Sequence, residues 1–186
     1  MTPCLRNHLA VCAISLLAGC STAPPEGLPI QIDTAQIAGR AAGAPPRAKV
    51  EVTDLRREAE MERTALGVSL GKIDLRPPAP DIVRAIVQAK ADEVIARQGI
   101  ADPPTVLCGI REFDITTPST PIYWDVDAKI GLVLRVRGRD REVAAAATDR
   151  TFVWPSQELI TGVTTEALKR LAAETERALT ELFAER

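Results

Sequence analysis

The chain has 186 residues, 46% of them hydrophobic, with 23 Lys and Arg against 25 Asp and Glu for a formal net charge of −2. No long basic block is present, and nucleic-acid binding depends on clustered cations, so nucleic acid is excluded as an expected partner. The single histidine, His8, and two of the four cysteines, Cys4 and Cys12, fall in the first nineteen residues.

Those nineteen residues carry the three parts of a secretory signal. Arg6 and the amino terminus are basic, and the apolar run from Leu9 to Leu17 is too short to span a bilayer, which takes about 20 apolar residues. It ends in Leu17-Ala18-Gly19-Cys20, which is similar to the lipobox of bacterial lipoproteins. There a cysteine sulfur is alkylated with diacylglycerol before cleavage, and small residues precede the cut. Residues 1–19 are therefore expected to be removed as a signal peptide. Cys20 is expected to carry diacylglycerol and an N-acyl chain, with no other cofactor. By resemblance to Gram-negative sorting, Ser21 directs the product to the periplasmic face of the outer membrane. Several acyl chains hold firmly where one holds marginally.

Processing changes what chemistry is available. No imidazole remains for a catalytic triad or a His-ligated metal. Cys108 is left as one thiol that cannot close an intramolecular bridge, and it sits in an alternating apolar run, so it is expected to be buried and inert. No catalytic or metal-binding residue is predicted, and the protein is expected not to be an enzyme.

Residues 20–47, rich in Ala, Pro and Gly, read as the lipidated cysteine and a flexible tether, within which Gln31-Ile32-Asp33-Thr34 could pair briefly. Residues 48–186 read as a single periplasmic domain. Ala48 to Thr53 alternate as a strand. Asp54 to Arg57 and the charged run Glu58 to Arg63 read as a mobile loop or helical turn, and Leu66 to Gly71 as a short strand or edge. After Pro77-Pro78-Ala79-Pro80, a helix is predicted from Asp81 to a stop at Gly99, its apolar face including Ile82, Ile86 and Val94.

Thr105 to Asp114 form the next predicted strand. From Ile122 to Val136 the even positions are apolar and the odd ones mostly polar, the pattern of a long strand with one buried face. A turn at Gly138 to Arg141 returns the chain as a partner strand from Glu142 to Trp154. With a two-residue loop at 139–140, Val136 faces Val143, Leu134 faces Ala145, Arg137 faces Glu142, and Asp149 falls opposite Ile130 on the core face. That last pairing is a fault requiring a bulge or a slip. A final amphipathic helix is predicted to begin at Thr164 as N-cap. The elements add up to an α+β fold, a two-layer sandwich of an antiparallel sheet with two amphipathic helices on one face.

The lipobox, the Val50-Glu51-Val52-Thr53-Asp54-Leu55-Arg56 strand, the helix ending at Gly99, the strand ending near Phe113, the hairpin and the terminal helix together resemble the YajG-like group of small bacterial outer-membrane lipoproteins. The layout is also similar to lipopolysaccharide-assembly and ABC-transport auxiliary lipoproteins. The resemblance implies an envelope role and an α+β fold. It carries over no functional residue beyond Cys20, and Trp124-Asp125-Val126-Asp127 departs from it.

The candidate binding residues are Tyr123, Asp125 and Asp127 at one end of the long strand's polar face, with Arg135, Arg137 and Arg139 at the other. They suggest either a dipolar recognition surface or a solvated face whose charges pair across strands, each pair worth little. Two carboxylates at i, i+2 on a strand lie ~7 Å apart and are too few for Ca²⁺. Trp124, Phe152 and Trp154 read as packing at the sheet's end, unless they prove exposed. Two functions follow. One is a non-catalytic accessory module with an envelope protein partner. The other is a lipid-handling auxiliary that takes an acyl chain between helices and sheet, in a cavity lined by residues such as Ile86, Leu132 and Leu179.

Overall fold

A computed structural model describes residues 27–39, 46–57 and 61–184. The signal peptide, Cys20, and Glu58 and Glu60 of the charged run lie outside the described residues. In chain order the elements are β1 (Leu28–Gln31), α1 (Thr34–Ala38), β2 (Val50–Asp54), β3 (Met61–Ala65), β4 (Val68–Arg76), α2 (Ala79–Gln98), β5 (Val106–Thr116), β6 (Trp124–Val136), β7 (Arg139–Thr151) and α3 (Gln157–Ala184). The fold is α+β, with the helices packed against one sheet.

The sheet is mixed, where an antiparallel one was expected. Its order is β1-β4-β3-β5-β6-β7, with β2 also paired to β5. The β5–β6, β6–β7 and β3–β4 pairs are antiparallel, whereas β1–β4, β2–β5 and β3–β5 are parallel. β2 and β3 share one edge of β5, β2 against its first half and β3 against its last residues. The parallel pairing of β2 with β5 follows from α2, which lies between them in the chain and packs on both.

The alternation along β6 is realised in full. Val126, Ala128, Ile130, Leu132, Leu134 and Val136 are all buried beneath the helices. β5 adds Val106, Cys108 and Ile110. After a bulge at Arg111, Phe113 and Ile115 continue the same face. α3 supplies Ile160, Leu168, Leu171 and Leu179, and α2 supplies Ile82, Ile86, Val87 and Val94. Cys108 is 2% exposed, and burial pushes its thiol up to about 12, as an inert packing residue requires. The two long helices are also joined at their outer faces, where Glu176 accepts from Arg97 at 2.5 Å and pairs with Lys90 at 3.3 Å.

Four further expectations are corrected. First, the expected tether contains structure. Leu28–Gln31 forms β1 and Thr34–Ala38 forms α1, capped by Asp33, whose carboxylate accepts from the amides of Ala35 and Gln36. Ile30 is fully buried in the main core. Second, the segment read as a mobile loop yields β3 from Met61. It also holds an anchored Arg56, which donates to Asp54 at 2.9 and 2.6 Å and to the Phe113 carbonyl at 3.3 Å.

Third, the β6–β7 turn lies at Arg137-Gly138, whose φ values of 52° and 79° are those of a type I′ hairpin turn. The pairing therefore slips by four residues from the expected register. Val136 faces Arg139, Leu134 faces Arg141, and Ile130 faces Ala145. An even slip leaves every side chain on its intended face, and it moves Asp149 opposite Val126 at the sheet's end, where it is exposed. Fourth, α3 begins at Gln157, two turns before the expected start. Ser156 Oγ accepts from the Leu159 amide there, and Thr164 is buried mid-helix, returning its hydroxyl to the Ile160 carbonyl at 2.8 Å.

Candidate functional site

Among the described residues the helices lie on one side only and leave the other face of the sheet open, and β6 presents its odd positions there. Asp125 accepts from Arg150 of β7 at 2.7 and 3.2 Å. That hydrogen-bonded guanidinium holds the Asp125 carboxyl below the usual carboxylate range, and Asp125 in turn raises Arg150. The same guanidinium lies 3.8 Å from the centre of the Tyr123 ring, a close cation–π contact. Asp127 accepts from the Thr148 hydroxyl at 2.7 Å. Arg135 donates twice to Asp140, at 2.5 and 2.7 Å, and lowers that carboxyl.

The charged side chains at the two ends of β6 are thus partnered across the strands, the second of the two arrangements their sequence pattern suggested. Asp125 and Arg135 meet opposite charges on β7, whereas Asp127 meets only the Thr148 hydroxyl and keeps its negative charge. Arg137 stands apart in the turn, and Arg139 points to the helix side, donating to the Leu182 carbonyl at 3.1 Å. Tyr123, Asp125 and Asp127 are brought together with Arg150, a residue the sequence reading did not single out. Among the described residues no three His, Cys, Asp or Glu side chains lie close enough to hold a metal ion.

One feature of this surface went unpredicted, and another was anticipated in its packing but not in its extent. The first is an open groove of about 400 Å³ on the free face, where β5 forms the floor between β2 and β6. Leu55, Leu107 and Val133 line it, and Glu51, Arg111, Arg135 and Asp140 form its charged rim. Leu55 is 53% exposed and lies across β5 at Gly109; a Cβ there would come within 2.6 Å of the Leu55 Cδ1. The second is an aromatic and aliphatic cluster at the far end of the sheet. Trp124 and Trp154 meet edge to face at 5.9 Å, and Tyr123 and Phe152 at 6.5 Å, with Phe152 and Val153 largely exposed. The run Phe152-Val153-Trp154 carried the signal, because consecutive apolar residues cannot all turn to one face of a strand.

Ile86, Leu132 and Leu179, which the lipid-handling reading places around a cavity, are 0–2% exposed and belong to the packed core. The groove on the open face includes none of them, and neither does a second pocket of about 520 Å³ beside Gly99, Arg137 and Phe183. No helix among the described residues is long and apolar enough to cross a membrane.

No protein-family model matches this chain, and no curated protein matches it. The YajG-like resemblance is therefore matched by no family model. Among solved structures, an uncharacterized protein is similar at 8% identity and a TM-score of 0.44, covering 83% of this chain and 99% of that one. A putative lipoprotein from Caulobacter crescentus is similar at 10% identity and a TM-score of 0.28, over 53% of this chain and 81% of that one. A PelC dodecamer from Paraburkholderia phytofirmans shares 14% identity at a TM-score of 0.25, over 67% of this chain and 88% of that one. Likeness this distant assigns no function.

Proposed function

We propose that the protein is a non-catalytic accessory module of the cell envelope, lipid-anchored at Cys20, that recruits a partner protein on the open face of its sheet. The anchor rests on Leu17-Ala18-Gly19-Cys20 and the signal before it, and Ser21 and the YajG-like layout favour the periplasmic face of the outer membrane. The absence of imidazole after processing supports a binding role over a catalytic one.

The groove of Leu55, Leu107 and Val133 carries the binding part. Protein interfaces place apolar residues at the centre and charged ones at the rim, and this groove has that arrangement on a face no helix covers. The lipid-handling alternative finds no support in the core, where its lining residues pack against one another.

Photoreactive residues placed at Leu107 and Arg111 in cells test this reading. A reproducible adduct with one protein, lost in a Leu55→Asp variant, is the expected result. Adducts only with lipid would overturn it in favour of acyl-chain binding.

A further inference from the structure

We propose that the end of the sheet formed by the β3–β4 turn, the 117–123 loop and the β7–α3 link docks against the lipid surface that holds Cys20. This inference rests on the lipid-anchor reading above and adds an orientation to it.

The surface is apolar where nothing in the fold requires it. Leu66, Val68, Ile122, Phe152, Val153 and Trp154 are 70, 63, 72, 70, 70 and 47% exposed. They form one neighbourhood. The Leu66 amide donates to Ser119 Oγ, Ser119 bridges to Trp124, and Trp124 packs on Trp154. Contiguous exposed apolar surface on a water-soluble fold marks a contact site.

Leu66 sharpens the point. It opens the β3–β4 turn at φ 49°, a left-handed conformation in which Asn, Asp or Gly is easier to hold, and a bulky residue there is an outlier. An exposed Leu in that position loses on conformation and on hydration unless something apolar covers it. Behind the patch stand Tyr123 and Arg150, stacked at 3.8 Å and paired with Asp125, and Asp149 marks the polar rim. Trp and Tyr backed by a cation are the residues that settle at a membrane's headgroup level.

The path of the chain selects a lipid surface over other occupants. β1 runs parallel to β4, pairing Leu28 with Ile73, so the chain ahead of Leu28 leads toward the end of β4 that begins at Val68. The five residues from Ile73 back to Val68 span ~17 Å. The eight steps from Leu28 back to Cys20 reach at most ~26–29 Å. Because β1 takes up part of the expected tether, only eight steps separate Leu28 from Cys20, and β1 starts from the side of the exposed patch. A membrane gripping Cys20 therefore lies within reach of Leu66 and its neighbours.

The chain's two tryptophans, Trp124 and Trp154, both sit in this cluster, so their fluorescence reports on it directly. The processed, full-length lipidated protein is placed in phosphatidylethanolamine–phosphatidylglycerol vesicles with brominated acyl chains. Tryptophan emission is expected to shift to shorter wavelength and to be quenched by bromines placed near the headgroups. Both effects should be lost in a Phe152→Ser, Val153→Ser variant that still sediments with the vesicles and keeps its circular dichroism. A vesicle-bound protein with unshifted, unquenched emission overturns the docking and leaves the anchor standing. Absence of lipid mass on Cys20 overturns both. A shift that follows protein concentration without lipid quenching assigns the patch to a second copy and overturns the lipid surface.

Discussion

Leu132 and Val133 are neighbours in β6, yet they belong to opposite faces of the sheet. Leu132 is 2% exposed under the helices, in a row with Ile130, Leu134 and Val136. Val133 sits half-buried on the open face beside Arg135. Stability and contact are thus divided between the faces. The covered face gains ~25 cal/mol for each Å² of apolar surface it hides. The open face is held by exposed ion pairs, each worth ~0–1 kcal/mol, so its side chains can serve a partner at little cost to the fold.

Substitution on the two faces should differ accordingly. Leu132→Ala removes buried atoms and is expected to cost ~2–5 kcal/mol. Val133→Thr, which keeps the β-branch on the open face, should stay within about 0.5 kcal/mol. Urea denaturation with an unchanged m-value measures both. Comparable losses would show that the open face is covered in solution.

The Asp54–Arg56 pair at the end of β2 lies between these extremes. Arg56 has a side chain only 9% exposed, and it binds both Asp54 and the Phe113 carbonyl. Arg56→Ala is expected to cost ~1–3 kcal/mol, because it removes bonds to a charged donor. The hydrogen bond from Arg56 lowers the Asp54 carboxyl, outweighing the burial that raises it. A depressed folded-state carboxylate stabilises above its unfolded pKa of ~3.9, and that contribution fades as pH falls through the folded value. Asp54 is partly exposed, which scales the effect down. Asp54→Asn should therefore be less stable than the parent chain at pH 7, by ~1 kcal/mol or less, and should converge on it as pH falls through the lowered Asp54 value. A gap that persists in acid would mean that the pair's charge is irrelevant.

The elements that could be read from the sequence are those whose periodicity outlasts noise. β6 alternates over thirteen residues and α2 repeats its apolar stripe over twenty, and both were placed nearly to their ends. β3 could not be read, because all five of its residues are half-buried and none alternates. β1 is four residues long and parallel, set between prolines and glycines that suggest a tether, although Leu28, Ile30 and Ile32 do alternate. One hairpin turn was missed within an expected strand and the other misplaced, for one reason. Leu66-Gly67 and Arg137-Gly138 put a large residue where Asn or Asp usually announces a type I′ turn, so Gly was the only signal. The candidate site suffered from the second of these errors. Tyr123 and Asp125 were singled out, but a register four residues away hid their partner Arg150.

The smallest expected effect tests that register most directly. Asp125 faces Arg150 only when the turn lies at Arg137-Gly138; a turn at 139–140 would set it opposite Trp154. A double-mutant cycle of Asp125→Asn and Arg150→Gln should return a small favourable coupling. Arg150 is exposed and Asp125 half-buried, so the coupling should shrink as salt rises toward 1 M, where the screening length falls to about 3 Å. It should also vanish as acid titrates Asp125, whose carboxyl Arg150 holds below its usual range. Zero coupling at low salt would separate the two strands' charges and return the hairpin to the other register. A salt-sensitive coupling would place β7 where Arg150 can bridge the ionic face to the Tyr123 ring.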